Sequence, residues 1–171
     1  MPTSSLVYLR APEPEDLELL YTIENDTTLW EVSRERNYYS RYSLKQYLAS
    51  QPSDIFQLGE LRLVICDCQT QQGVGLVDLS GYSPIDRSAE ISICILSEFR
   101  GEKYAKSALE KIEEYVCNTL RMHFLYAKIS RSNIASLKLF HSLGYEDVAV
   151  LPLWHYGKNG YEDIVVLKKM M

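Results

Sequence analysis

Apolar and polar positions alternate along the chain with two periods, and the switches between them mark out the elements. "LVYLR" at residues 6–10 reads as a short strand. In "APEPEDLELLYTIEND" the prolines and acidic residues mark a helix entry, and Leu17, Leu20, Tyr21 and Glu24 fall on helical spacing. An irregular aromatic stretch with Trp30, Tyr38, Tyr39, Tyr42 and Tyr47 follows, overlapping a helix in "SLKQYLAS" capped by Ser43. Period two then takes over. "FQLGELRLVICD", "VGLVDLSGYS" and "AEISICIL" read as consecutive antiparallel strands, joined by the polar turns "QTQQG" and "PIDRS".

The apolar stretch Ile91 to Leu96 runs through "SEFRGEK" into "YAKSALEKIEEYVCNTL", where Ala105, Leu109, Ile112 and Val116 share one helix face. "FLYAKI" is a strand, and "SNIASLKLFHSLGY" a helix capped at Ser132 or Asn133 and stopped at Gly144. "VAVLPLWHY", "GKNG" and "EDIVVLKKM" form a closing hairpin. The order β-α-α-β-β-β-α-β-α-β-β predicts an α/β fold. Its mostly antiparallel sheet of about seven strands is interrupted by a parallel strand–helix–strand crossover from Ile91 to Ile129. No repeat, low-complexity tract or linker divides residues 1–171, which read as a single domain.

Charge sharpens the picture. The net charge of −5 argues against a general nucleic-acid binder. Between Glu13 and Glu35 stand Glu13, Glu15, Asp16, Glu18, Glu24, Asp26, Glu31 and Glu35, against only Arg34. Such a stretch suits a cationic small molecule, although a solvated helix face accounts for most of these positions. Cys66, Cys68, Cys94 and Cys117 match no zinc spacing and read as reduced thiols, so no metal is expected. The N-terminus lacks a basic region followed by an apolar stretch, and no run is long enough for a membrane span, which together predict a cytoplasmic protein without a membrane partner.

Chemistry concentrates where the strand ending at Leu96 meets the helix beginning near Tyr104. Strand, short loop and helix N-terminus hold phosphates through backbone N–H groups and the helix dipole. This loop carries one glycine, Gly101, with Lys103 where a second is expected.

"AEISICILSEFRGEKYAKSAL" followed by "LYAKISRSNIASLKLFHSLGY" resembles the GCN5-related N-acetyltransferases, and the resemblance covers nearly the whole chain. The opening "LRAPEPEDLELLYTIEND" and the ending "WHYGKNGYEDIVVLKKM" look like the branch holding spermidine and ribosomal-protein N-terminal acetyltransferases, with "GLVDLSGYSPIDRSAEISI" leaning toward the spermidine enzymes. The resemblance implies acetyl transfer from acetyl-CoA to a primary amine, with a polyamine favoured. An N-terminal protein acetyltransferase and a non-catalytic CoA-binding protein are the alternatives. The family's habit of forming dimers or larger assemblies admits a homo-oligomer.

Carried over position by position, Arg100, Gly101 and Ala105 match the pyrophosphate motif, and Glu102, Lys103 and Tyr104 supply its backbone donors. Ile93 and Ile95 lie on the strand that pairs with the pantetheine arm, and Asn133 matches the family's asparagine. Glu90 is the candidate base, a binder of a cationic substrate, or one half of a strand-end ion pair with Arg87. Trp30 and Glu31 fall in the acceptor wall or serve structure alone.

Two positions depart from the pattern. If Lys103 must adopt positive φ, the loop is strained; if not, its N–H still donates. Phe140 replaces the tyrosine that faces the CoA sulfur and reads as core with Leu137, leaving water, Tyr104 or Tyr145 for that proton. His141 points about 100° away from Phe140 on the helix.

Overall fold

The computed structural model describes residues 5–33, 35–50 and 54–171. Arg34, the one cation of the acidic stretch, lies outside them. Seven strands form a single sheet: β1 (Val7–Arg10), β2 (Leu61–Asp67), β3 (Gly73–Ser83), β4 (Ser88–Ile95), β5 (Phe124–Ser130), β6 (Glu146–Gly157) and β7 (Gly160–Met170). Their spatial order is β1-β2-β3-β4-β5-β7-β6. Only β4 and β5 are parallel; the other neighbours are antiparallel.

Alternation along the strands feeds two cores. On one face Ile65, Val77, Leu79, Ala89, Ile91 and Leu125 pack with Leu109 and Ile112 of α4 (Tyr104–Tyr115) and with Phe140 of α5 (Ile134–Ser142). Leu109 and Ile112 are essentially inaccessible, and burial of each contributes about 1.5–3 kcal/mol. On the other face Val64, Cys66 and Leu76 meet Leu20 and Ile23 of α1 (Leu17–Glu24) and Leu44 of α2 (Arg41–Ser50). The predicted order of elements is therefore present, with three local differences.

Residues Ile55–Leu58 form a one-turn helix, α3, where the sequence reading ran a strand. The Asp54 side chain accepts the Phe56 N–H at 2.9 Å, and Gly59 stops the turn in the left-handed region at φ 71°. That cap and stop outweigh the apolar run. The second difference is the start of α2, where Ser40 rather than Ser43 supplies the cap: the Ser43 N–H donates to Ser40 Oγ at 3.1 Å. Third, the helix after the phosphate-type loop changes character. α4 passes at Val116–Leu120 into a π-helical turn, which ends at Arg121 with φ 52°.

The closing hairpin β6–β7 forms as expected and leaves β6 at the sheet edge, with Val148, Val150, Trp154 and Tyr156 exposed. All four cysteines are free.

Candidate active site

The parallel β4–β5 ladder holds for Ser88↔Phe124, Ala89↔Leu125 and Glu90↔Tyr126, and ends there. Beyond Glu90, β4 continues to Ile95 on its β3 side, while β5 continues to Ser130 on its β7 side. A gap therefore opens within the sheet, and β4 presents an unladdered backbone edge to it.

At the end of β4 a 3-10 turn, Ser97–Phe99, leads to Arg100, whose Nε donates back to the Ile95 carbonyl at 2.9 Å. Gly101 takes φ 85° and Lys103 φ 66°, so the left-handed alternative for Lys103 is the one adopted. The chain then enters α4, whose first-turn N–H groups have no acceptor within the helix.

Tyr104 anchors this loop by donating its hydroxyl to Asp67 Oδ2, 2.6 Å away at the end of β2. Asp67 also accepts the Gln69 and Thr70 N–H groups at 2.8 and 2.7 Å. The Tyr104 bond above all, then the Thr70 N–H, hold its carboxyl down at about 2. The partnership pushes the Tyr104 phenol up.

A cleft of about 1240 Å³ runs from this loop across the face of β4, β3 and β2 that packs on α1 and α2. Its floor is built from cross-strand rows. Arg62, Asp78 and Ser92 are register partners in one row, and Ser80 and Glu90 in the next. Arg62 donates to Asp78 through Nε at 2.7 Å and Nη2 at 3.1 Å, and to Glu24 of α1 through Nη1 at 2.6 Å. Burial opposes its charge; Asp78 first and Glu24 next more than offset this. Glu90 pairs with Lys128 of β5 at 3.3 Å, which replaces the predicted partner Arg87. The reason is the pleat: Lys128 is two residues beyond Glu90's register partner Tyr126, on the same face. Burial pushes the Cys94 thiol up to about 11.

The outer wall is the aromatic segment before α2. Trp30 and Tyr38 meet edge to face at 4.8 Å. Asn25 pins Tyr39 by accepting its N–H at 2.8 Å and donating to its carbonyl at 3.0 Å. His155 of β6 bonds to the Glu31 carbonyl at 2.7 Å.

Of the residues selected from sequence, Glu90, Ile93, Ile95, Arg100, Gly101, Lys103, Tyr104, Ala105, Asn133 and Trp30 all line this cleft. Glu102 sits in the loop but outside the lining, and Glu31 borders a separate small hollow beside the β6–β7 turn. Asn133 caps α5 by accepting the Ser136 N–H at 3.2 Å, which leaves its amide N–H₂ for the cleft.

Phe140 is 2% exposed and packs edge-on against Tyr145 at 4.9 Å. Tyr145 is buried, raised by desolvation and then by Glu113, and does not line the cleft. His141 bonds to Asp147 at 2.7 Å on the exposed side. Sequence reasoning missed Arg62, Asp78, Ser92 and Asp67. The signal for Asp78 and Ser92 was available: polar residues at alternate positions, Asp78 and Ser80 on β3 and Glu90 and Ser92 on β4, interrupt apolar strands on one face only.

The cleft sorts its charge. Among the described lining residues, Arg100, Lys103 and Lys106 stand at the loop end, while Glu24, Glu35, Glu60, Asp78 and Glu90 outnumber Arg62 and Lys128 at the other. The cleft therefore combines a gapped strand pair, an open helix N-terminus and, among the described residues, a second arm rich in carboxylates.

The family model of the acetyltransferase (GNAT) domain matches residues 7–146, and the chain belongs to that family. Its relatives include the spermidine N(1)-acetyltransferase of Vibrio cholerae, 26% identical over 161 residues that cover 94% of this chain and 91% of the relative. The enzyme of the same name from Escherichia coli K12 is 26% identical over 145 residues, covering 85% and 75%. Among solved structures, the Vibrio cholerae spermidine N-acetyltransferase in complex with CoA and spermine superposes with a TM-score of 0.87 at 25% identity, covering 98% of this chain and 96% of the other. A dodecameric structure of the Vibrio cholerae enzyme gives 0.82 at 25% identity, covering 98% and 95%. The fold is thus the single GNAT domain, with a seven-stranded mixed sheet flanked by helices.

Proposed function

We propose that the protein transfers an acetyl group from acetyl-CoA to a primary amine of a polyamine such as spermidine. The observation that carries this reading is the partition of charge among the described residues of one continuous cleft, cations at the open helix N-terminus and a majority of carboxylates at the far arm. The relatives are named for this reaction, and one is described with CoA and spermine bound.

Acetyl-CoA supplies a thioester carbonyl as electrophile. The protein's part is mostly placement: the β4 edge and the loop from Arg100 to Ala105 hold the carrier, and placement lowers the barrier by removing translational freedom. Glu90, kept in position by Lys128, takes a proton from the substrate ammonium directly or through water, which frees the nitrogen lone pair for attack. As the C–N bond forms and the C–S bond breaks, the nitrogen gives its second proton to water, and water returns one to the departing thiolate. Phe140 has none to give, Tyr145 faces Glu113, and Tyr104 is committed to Asp67.

The same reading places the enzyme in the cytoplasm; among the described residues no helix is long and apolar enough to cross a membrane. It also includes a homo-oligomer, supported by the exposed apolar stripe on β6 and by the dodecameric relative. The test is acetyl-CoA-dependent thiol release with spermidine, diamines and short N-terminal peptides. Turnover on the polyamine is expected; turnover on peptides alone, or binding without turnover, would overturn the proposal.

A further inference from the structure

Arg62 is an unusual residue to find in a wall suited to cations. Its guanidinium donates to both oxygens of Asp78 and to Oε1 of Glu24, so all three of its nitrogens are engaged at 2.6–3.1 Å. The three residues come from three elements, Arg62 from β2, Asp78 from β3 and Glu24 from the end of α1. The three side chains retain only 19–29% of their exposure, and the Tyr47 ring centroid lies 5.8 Å from the guanidinium carbon. A cation held between two carboxylates in a cleft wall is the arrangement an alkylammonium group of an acceptor would otherwise adopt.

We propose that Arg62 is a specificity-determining residue of the acceptor arm: a resident cation that withholds Glu24 and Asp78 from the substrate and so sets how strongly the cleft prefers longer polyamines. The inference rests on the acceptor reading above and adds to it the element that restrains charge selection. With Arg62 in place the cluster offers an incoming amine one net negative charge. Without it the cluster offers two, and each added ammonium of a longer amine gains a partner. Specificity is a difference of affinities, so the effect belongs in a ratio between amines rather than in either affinity alone.

The experiment measures calorimetric binding of spermine and of 1,4-diaminobutane to the CoA-loaded protein at low salt, for the parent, Arg62→Gln, Arg62→Lys and Asp78→Asn. Arg62→Gln is expected to raise the affinity ratio of spermine to diaminobutane by about fivefold, an effect of roughly 1 kcal/mol. Arg62→Lys keeps the charge and should keep the ratio within about twofold. Asp78→Asn leaves Arg62 with a single carboxylate and should lower the ratio by about threefold. The proposal is overturned if the ratio moves less than twofold in Arg62→Gln while thermal unfolding shows an intact fold. Where Arg62→Gln does not fold, an unchanged ratio in the isosteric Asp78→Asn overturns it instead. Thiol release is followed in parallel. Binding ratios that shift with no turnover on any amine would remove the enzymatic reading and leave this inference standing.

Discussion

At the loop end of the cleft the positioning contacts are mostly short-range. Arg100 turns back five residues to the Ile95 carbonyl, Gly101 and Lys103 bend the chain through positive φ, and α4 starts at once. At the acceptor end Arg62 reaches 16 residues along the chain to Asp78 and 38 back to Glu24, and Glu90 reaches across a parallel strand to Lys128. One end is made of backbone shape, the other of charged side chains assembled by sheet register. Backbone sites tolerate side-chain exchange and fail when the turn is disturbed, whereas register-built sites respond to single changes of charge.

The largest expected effect tests that division at the acceptor end. Glu90→Gln should lower kcat about a hundredfold, while the KM for acetyl-CoA moves less than about threefold. Steady-state thiol release separates the two, and unchanged turnover would remove Glu90 as the base.

Gly75→Ala strikes the support common to both ends. A Cβ on Gly75 would lie 2.3 Å from the Cys94 carbonyl oxygen, so β3 and β4 must separate. A loss of about 2 kcal/mol in denaturant unfolding is expected, with both ends of the cleft weakened together.

Lys103→Gly tests whether the loop works through shape. Lys103 at φ 66° carries about 1 kcal/mol of left-handed strain that glycine removes. The variant should be equally or more stable, with acetyl-CoA binding preserved or tighter by isothermal titration; a large loss would show that the ammonium supports the phosphates.

The smallest effect concerns acid. Asp67 is depressed from 3.8 to about 2 in the folded protein, so its contribution is complete above 3.8 and disappears as pH falls toward 2. Thermal unfolding should therefore show a loss between about pH 4 and pH 2 in the parent that is shallower in Tyr104→Phe, which lacks the hydroxyl that dominates the depression.

The order of strands and helices was legible because period-two and helical spacing are local properties, and so was the loop end, since its motif lies within one short run from Arg100 to Ala105. The α3 turn was missed because a buried Ile55 beside Phe56 imitates a strand, although Asp54 and Gly59 bracket it as cap and stop. Arg62 was not legible at all. Its role exists only because β2 and β3 pair in the register that sets it opposite Asp78, and because α1 brings Glu24 to the same point. Lys128 displaced Arg87 as Glu90's partner for a related reason: parallel register is a tertiary fact that spacing along one strand cannot report.

The short ladder between β4 and β5 has a consequence for how the molecule exchanges with its solvent. Ser88, Ala89 and Glu90 sit in the zipped part, while the β4 amides beyond Glu90 that point into the gap have no strand to donate to. In deuterated water those amides should exchange early and the zipped stretch late. If the carrier's pantetheine arm occupies the gap as a further strand, the two rates converge once acetyl-CoA is added. The sheet would then be completed by its own substrate, and would open again each time a product left.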